Sequence, residues 1–107
     1  MIIQFARGDK TVPNPTTNAI LRACGCRARA TLFRNDLAFA ANPAVNKNPH
    51  AFLTNISGAG APYALAAQQQ IATFFASDGT ITIDPDGAGP FFETPTSMLP
   101  EDLAFIP

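Results

Sequence analysis

The apolar positions of this chain fall in short runs, separated by proline, glycine and asparagine. Ile2-Ile3-Gln4-Phe5-Ala6 is nearly continuous, which is the pattern of a parallel strand covered on both faces. Gly8 permits a sharp turn after it, and Pro13 and Pro15 predict an extended linker. Thr16, Thr17 or Asn18 then caps a short helix through Ala19–Cys24, which stops at Gly25. Ala30-Thr31-Leu32-Phe33-Arg34 predicts a second strand, so the first third of the chain reads as a βαβ unit. A long loop over 35–49 follows, rich in Asn and Pro, with a helical turn in Asp36–Ala41. A loop of that length in a small domain is functional or poorly ordered.

The period then changes to that of a helix, from about Tyr63 to Ser77. Gln68, Gln69 and Gln70 are expected on its wetter side, with Leu65, Ile71, Phe74 and Phe75 available for packing. Asp78-Gly79 ends it. Thr80-Ile81-Thr82-Ile83 alternates like a half-buried strand, 84–89 is a turn, and Phe91-Phe92-Glu93 is expected to pair back as a β-hairpin. The tail, Pro95–Pro107, is expected to lie extended over apolar surface through Leu103, Phe105 and Ile106. The fold class is α/β in one small domain, 1–107. Residues 1–77 form a βαβ core with a C-terminal helix, and 78–107 a hairpin and tail.

Composition adds one constraint. Charged residues make up 14% of the chain, against an ordinary share of about 25%. With nine Phe, this predicts apolar surface covered by a second copy, a homo-oligomer. The net charge is −1, and Arg22, Arg27, Arg29 and Arg34 read as a solvated helix end and strand flank, so no nucleic-acid partner is expected. No apolar run approaches the roughly 18 residues of a membrane span, and Met1–Phe5 lacks the basic region of a signal peptide. Cys24 and Cys26 are expected as free thiols, because close neighbours rarely bridge. Two cysteines and a distant histidine give no zinc site, and Asp84-x-Asp86-Gly87 lacks the ligands of a calcium loop. No metal or cofactor is expected.

The candidate chemistry lies in Gly8-Asp9-Lys10-Thr11-Val12-Pro13 and in His50, the only histidine. An aspartate after a parallel strand sits at the carboxyl edge of a sheet, where α/β proteins place their sites. A histidine reached by a loop from the next strand emerges at the same edge. A carboxylate on one imidazole nitrogen fixes the tautomer and leaves the other nitrogen as a general base.

The order strand, Asp9-x-x-Val12-Pro13, helix, strand, loop, His50, long helix resembles the last third of an α/β-hydrolase of the bacterial lipase and esterase kind, over residues 1–77. The resemblance implies that Asp9 is the triad acid and His50 the triad base. It implies a carboxylic-ester hydrolase acting on small ester or lipid substrates. The family order is Ser, acid, His, and no Gly-x-Ser-x-Gly elbow occurs in this sequence; the elbow is expected upstream of Met1, in a longer gene of which this frame holds the end. Of Ser57, Ser77 and Ser97, Ser57 is the candidate nucleophile, since it follows His50 closely in a glycine-rich turn, Asn55-Ile56-Ser57-Gly58-Ala59-Gly60. Water activated by His50 is a second route. The alternative to a lipase is a non-catalytic, self-associating remnant of such an enzyme.

Overall fold

The computed structural model describes residues 1–107. Strand β1 (Ile3–Ala6) and strand β2 (Ala30–Phe33) pair in parallel, Ile3 opposite Ala30 and Ala6 opposite Phe33. The expected hairpin does not form. Thr80–Ile83 has no strand structure. Instead β3 (Phe92–Glu93) pairs antiparallel with β2, Phe33 opposite Phe92, giving the sheet order β1-β2-β3. β2 has one edge left after β1 is paired, and β3 fills it.

Helix α1 (Asn14–Cys24) connects the parallel strands. It starts at Asn14, five residues before the expected Ala19, with Pro15 inside its first turn. Proline is tolerated there because the first N–H groups of a helix have no partner within it. None of Thr16, Thr17 and Asn18 is its cap; Pro13 precedes the helix. Asn14 secures the join instead. Its amide donates to the Ala6 carbonyl (2.7 Å), and its carbonyl accepts from the Gly8 N–H (2.9 Å). Gly25 ends the helix at φ 63°. The N–H groups of Gly25 and Cys26 turn back to the carbonyls of Arg22 and Leu21, a Schellman arrangement. That reversal brings the Cα atoms of Cys24 and Cys26 to 5.2 Å, and the two are joined in a disulfide. The expectation of free thiols is thus overturned.

The sheet is covered on both faces, because side chains alternate along each strand. Phe5, Ala30 and Leu32 pack with Leu21 of α1 and with Cys26. On the other face Ala6 and Phe33 pack with Ala38 of α2 (Asn35–Ala41), with Val45 and with Ala67 of α3 (Ala61–Ala76). Both helices lie close to their expected positions. The orientation of α3 does not follow expectation. Gln70 is fully buried. Its carbonyl accepts from Gln4 (2.7 Å), and its amide donates to Thr31 (2.8 Å) and to the Ile83 carbonyl (2.7 Å). Gln4 interrupts the apolar run of β1 and faces the same side. A buried amide is stable only with partners, and Gln70 finds them in Gln4, Thr31 and Ile83. Gln68 donates to the Leu53 carbonyl (2.7 Å). The outward stripe of α3 is then Pro62, Leu65, Gln69, Ala72 and Phe75, with Leu65 57% and Phe75 72% exposed.

The tail does run along the body, but polar bonds fix it more than Leu103 and Phe105, which are exposed. The buried Asn18 donates to the Pro100 carbonyl, Arg22 pairs with Glu101, and the Thr96 N–H reaches the Ala30 carbonyl (2.9 Å). The Asp84 carbonyl accepts from Gly87 in a turn, as expected. No helix is long and apolar enough to cross a membrane.

Candidate active site

The site begins where β1 ends. Gly8 adopts φ 79°, a conformation that only glycine reaches without strain. A Cβ there would also lie 2.6 Å from the Ala104 carbonyl oxygen. The turn then presents Asp9. One carboxylate oxygen, Oδ1, accepts the backbone N–H groups of Thr11 (2.7 Å) and Val12 (2.9 Å). This is an aspartate closing its own turn. The second oxygen, Oδ2, is left free to point away from the turn.

That oxygen meets His50. The distance from Asp9 Oδ2 to His50 Nδ1 is 3.0 Å. The carboxylate can only accept, so Nδ1 carries the proton and donates it. Nε2 is then the basic nitrogen, and it makes no hydrogen bond to the rest of the chain. The two partners differ in exposure: the Asp9 side chain is 13% exposed and that of His50 47%. The acid is sheltered and the imidazole stands open to an incoming molecule.

Asn48 holds the two turns in register. Its carbonyl accepts from the N–H of Lys10 (3.1 Å) and from the N–H of His50 (3.3 Å), and its amide donates to the Thr11 hydroxyl (3.3 Å). Pro49, buried, follows it. The Asn- and Pro-rich loop expected from sequence is therefore a fitted connection. Asn48 went unassigned in the sequence. The signal available was its place two residues before His50, in a turn-forming segment.

Ser57 behaves differently. It is exposed, and no hydrogen bond joins it to His50. It precedes a short 3-10 turn, Gly58–Gly60, that leads into α3. Ser77 accepts the Ile81 N–H and donates to the Phe74 carbonyl at the end of α3, and Ser97 donates to Glu93. Both are occupied structurally.

A second charged cluster adjoins the same sheet edge. Asp36 accepts from Arg34 in a two-bond fork (2.9 and 2.7 Å), and Arg7 approaches it at 3.6 Å. Arg34 also reaches Glu93 (2.9 Å). It is thus an ion-pair centre, not the solvated strand flank expected from sequence. Burial alone would push the Asp36 carboxyl up, but the hydrogen bonds and charge of Arg34, with the charge of Arg7, outweigh it and hold the group below its ordinary range. Glu93 is lowered in the same way against burial, by Ser97 and Arg34. The Arg34 guanidinium is pushed up, chiefly by its bonds to Asp36.

No group of three or more His, Cys, Asp and Glu side chains is arranged to hold a metal ion. A scan against protein-family models found no match, and comparisons with curated proteins and with solved structures found none either.

Proposed function

We propose that this chain is a carboxylic-ester hydrolase of the lipolytic kind, with His50 as general base and Asp9 as its orienting acid. The observation that supports it is the 3.0 Å contact between Asp9 Oδ2 and His50 Nδ1, with Nε2 open. In this reading Nε2 removes a proton from the attacking hydroxyl, and the imidazolium formed is stabilised by the Asp9 carboxylate. The proton then passes to the departing alkoxide. The attacking group is water, which gives the carboxylic acid directly, or the hydroxyl of Ser57, whose acyl ester a water activated by His50 then cleaves to release the acid and restore the serine; Ser57 has no bond to His50 in the resting state. The resemblance of residues 1–77 to the end of an α/β-hydrolase supplies the reaction class. Hydrolysis of p-nitrophenyl esters by the purified chain, beside His50→Ala, Asp9→Asn and Ser57→Ala, tests the proposal. A rate in His50→Ala equal to that of wild type sinks it, while a loss in Ser57→Ala selects the serine over water.

A second reading has its own observation. The outer stripe of α3 exposes Leu65 and Phe75, and the outer edge of β1 has no strand beside it. Apolar stripes and bare edges favour association with a second copy. In that reading the chain is a self-associating, non-catalytic relative of hydrolases. Light scattering after size exclusion, with Phe75→Glu as control, tests it. A dilute wild-type monomer excludes the self-association, and ester turnover that depends on His50 excludes the loss of catalysis.

A further inference from the structure

The disulfide between Cys24 and Cys26 lies at the end of α1 remote from Asp9 and His50. The helix has 11 residues, so it separates the two places by roughly 16 Å at a rise of about 1.5 Å per residue. The bond closes a ring across Gly25 alone. A disulfide stabilises a fold by removing loop-closure entropy from the unfolded chain, and the effect shrinks with the loop. The turn is already closed by backbone bonds, the Gly25 N–H to the Arg22 carbonyl (3.2 Å) and the Cys26 N–H to the Leu21 carbonyl (2.9 Å). The disulfide joins no distant parts of the chain, so stability gives little reason for it.

Its two cysteines are unlike. Cys24 is exposed, and a Cβ built on Gly25 meets no atom within 4 Å, so the approach over the turn is open. Cys26 is buried against Phe5, Leu21 and Leu32. A free thiol packs as a small apolar group, so Cys26 keeps its place when the bond is opened. Cys24 Sγ stands 3.7 Å from the Leu21 carbonyl oxygen, which gives its thiol an acceptor in the reduced chain. The surroundings are cationic. No Asp or Glu occurs from Lys10 to Asn35, while Arg22, Arg27 and Arg29 flank the pair in sequence. Glu101 pairs with Arg22, and Arg27 donates to the Ser97 carbonyl (3.1 Å), which leaves the Arg29 charge uncompensated. Guanidinium groups favour a thiolate beside them, against the opposing field of the helix C-terminus, and they draw anions to the surface.

We propose that Cys24–Cys26 is a thiol–disulfide exchange site that oxidises soluble anionic thiols, with Cys24 as the sulfur attacked and Cys26 as the leaving group. The site is independent of the hydrolase reading. The thiolate sulfur of one thiol attacks Cys24 Sγ and bonds to it. The Cys24–Cys26 bond breaks, and its electron pair leaves on Cys26 Sγ, which takes up a proton. A second thiolate attacks the sulfur of the bound thiol and forms the product disulfide. The electron pair of that broken bond leaves on Cys24 Sγ, which takes up the second proton. Two thiols are oxidised to one disulfide, and the disulfide of the chain is reduced to two thiols. The turn and the packing of Cys26 persist through both states, so the step leaves the fold in place.

The chain has only these two cysteines, so a count of free thiols reads the site alone. The oxidised chain is mixed with reduced glutathione under native conditions, and the thiols are trapped with time. Per thiolate, opening is expected to run about tenfold or more faster than the reaction of the same thiol with oxidised glutathione. The circular dichroism and thermal midpoint of the reduced chain are expected to stay close to those of the oxidised one. A disulfide that opens no faster than glutathione's own, or whose opening unfolds the chain, overturns the proposal. Two variants test which sulfur is attacked. With oxidised glutathione, Cys26→Ala, which keeps Cys24, is expected to form the mixed disulfide about tenfold or more faster than Cys24→Ala. Equal or reversed rates overturn the assignment. If Cys26→Ala does not fold, the glutathione adduct of wild type is trapped with acid, and fragmentation of the peptide Ala23–Arg27 shows which cysteine carries it; an adduct on Cys26 overturns the assignment equally. At low salt, glutathione is expected to react about threefold or more faster per thiolate than the cationic thiol cysteamine. The opposite order overturns the preference for anionic thiols.

Discussion

Asp9 and Asp36 occupy matched positions and do different things. Each follows the end of a parallel strand by the same number of residues, Asp9 after Ala6 of β1 and Asp36 after Phe33 of β2. Both therefore emerge at one edge of the sheet. Asp36 opens a helix and meets guanidinium groups, Arg34 in a fork and Arg7 across the strand gap. Such a pair stays charged at neutral pH, since guanidinium does not release its proton in proteins and the Asp36 carboxyl is held below its ordinary range. Asp9 opens a turn, spends one oxygen on two backbone N–H groups, and offers the other to an imidazole. Imidazole can gain and lose a proton near neutral pH, and half of this one faces solvent. Position at the sheet edge therefore does not make a catalytic acid. The partner does, and here the partner comes from a loop 41 residues away.

The two acids differ most in their partners. His50→Ala is expected to lower ester hydrolysis on the order of 10²–10⁴-fold, with the thermal midpoint close to wild type because the ring is half exposed. Asp9→Asn is expected to lose activity by a similar or smaller factor, since an amide leaves the imidazole without its charge partner. Arg34→Met should do the reverse. It leaves Asp36 and Glu93 without their main cation and is expected to cost about 1–2 kcal/mol of stability, between values for exposed pairs and for charged hydrogen bonds, read as a lower denaturant midpoint. A large activity loss at unchanged stability in Arg34→Met would erase the distinction drawn between the two acids.

Asn48→Ala removes the link between the Asp9 turn and the His50 loop without touching either ring or carboxylate. Activity is expected to fall about tenfold, by misplacement, with the imidazole proton signals broadened in NMR spectra. An activity loss with unaltered imidazole signals would rule out a positioning role. Acid dependence gives the last test. Asp36 and Glu93 are held below their ordinary values in the folded chain, so the unfolded chain binds more protons as acid is added. Their contribution is complete above the ordinary carboxylate range, about pH 4, and is lost as the pH falls through the lowered folded values. Asp84 acts in the opposite sense. Burial, and the hydrogen bond and charge of Asp86, raise it, so stability falls as pH rises from its ordinary value through the raised one. In denaturant titrations, Arg34→Met should flatten the acid limb, and Asp84→Asn should remove the opposing slope. An acid limb unchanged in Arg34→Met would show that other carboxylates set it.

Much of this arrangement was legible in the residues. The run Ile2–Ala6, the βαβ order, the helical turn near Asp36 and the long helix near Tyr63 follow from period and punctuation, which are local. The meeting of Asp9 with His50 follows from topology, because parallel strands deliver the residues after them to one edge. The nucleophile is a different matter. Ser57 lies close to His50 in sequence, but closeness along a chain does not fix the direction of a side chain in a turn.

Local pattern dictates the set of short elements and the edge at which chemistry-bearing residues appear. Tertiary structure decided which groups face which. Gln70 looked like a wet-face residue until Gln4, Thr31 and Ile83 surrounded it with partners, and its inward turn left Leu65 and Phe75 outside. Thr80–Ile83 had the alternation of a strand, but the free edge of β2 is taken by Phe92 and Glu93. A strand needs a neighbour as well as a pattern. In the same way, a turn aspartate becomes a candidate triad acid only when a histidine arrives from elsewhere in the fold. Periodicity records burial and local bonds, whereas the pairing of buried amides, strand edges and side-chain charges depends on residues far apart in the chain.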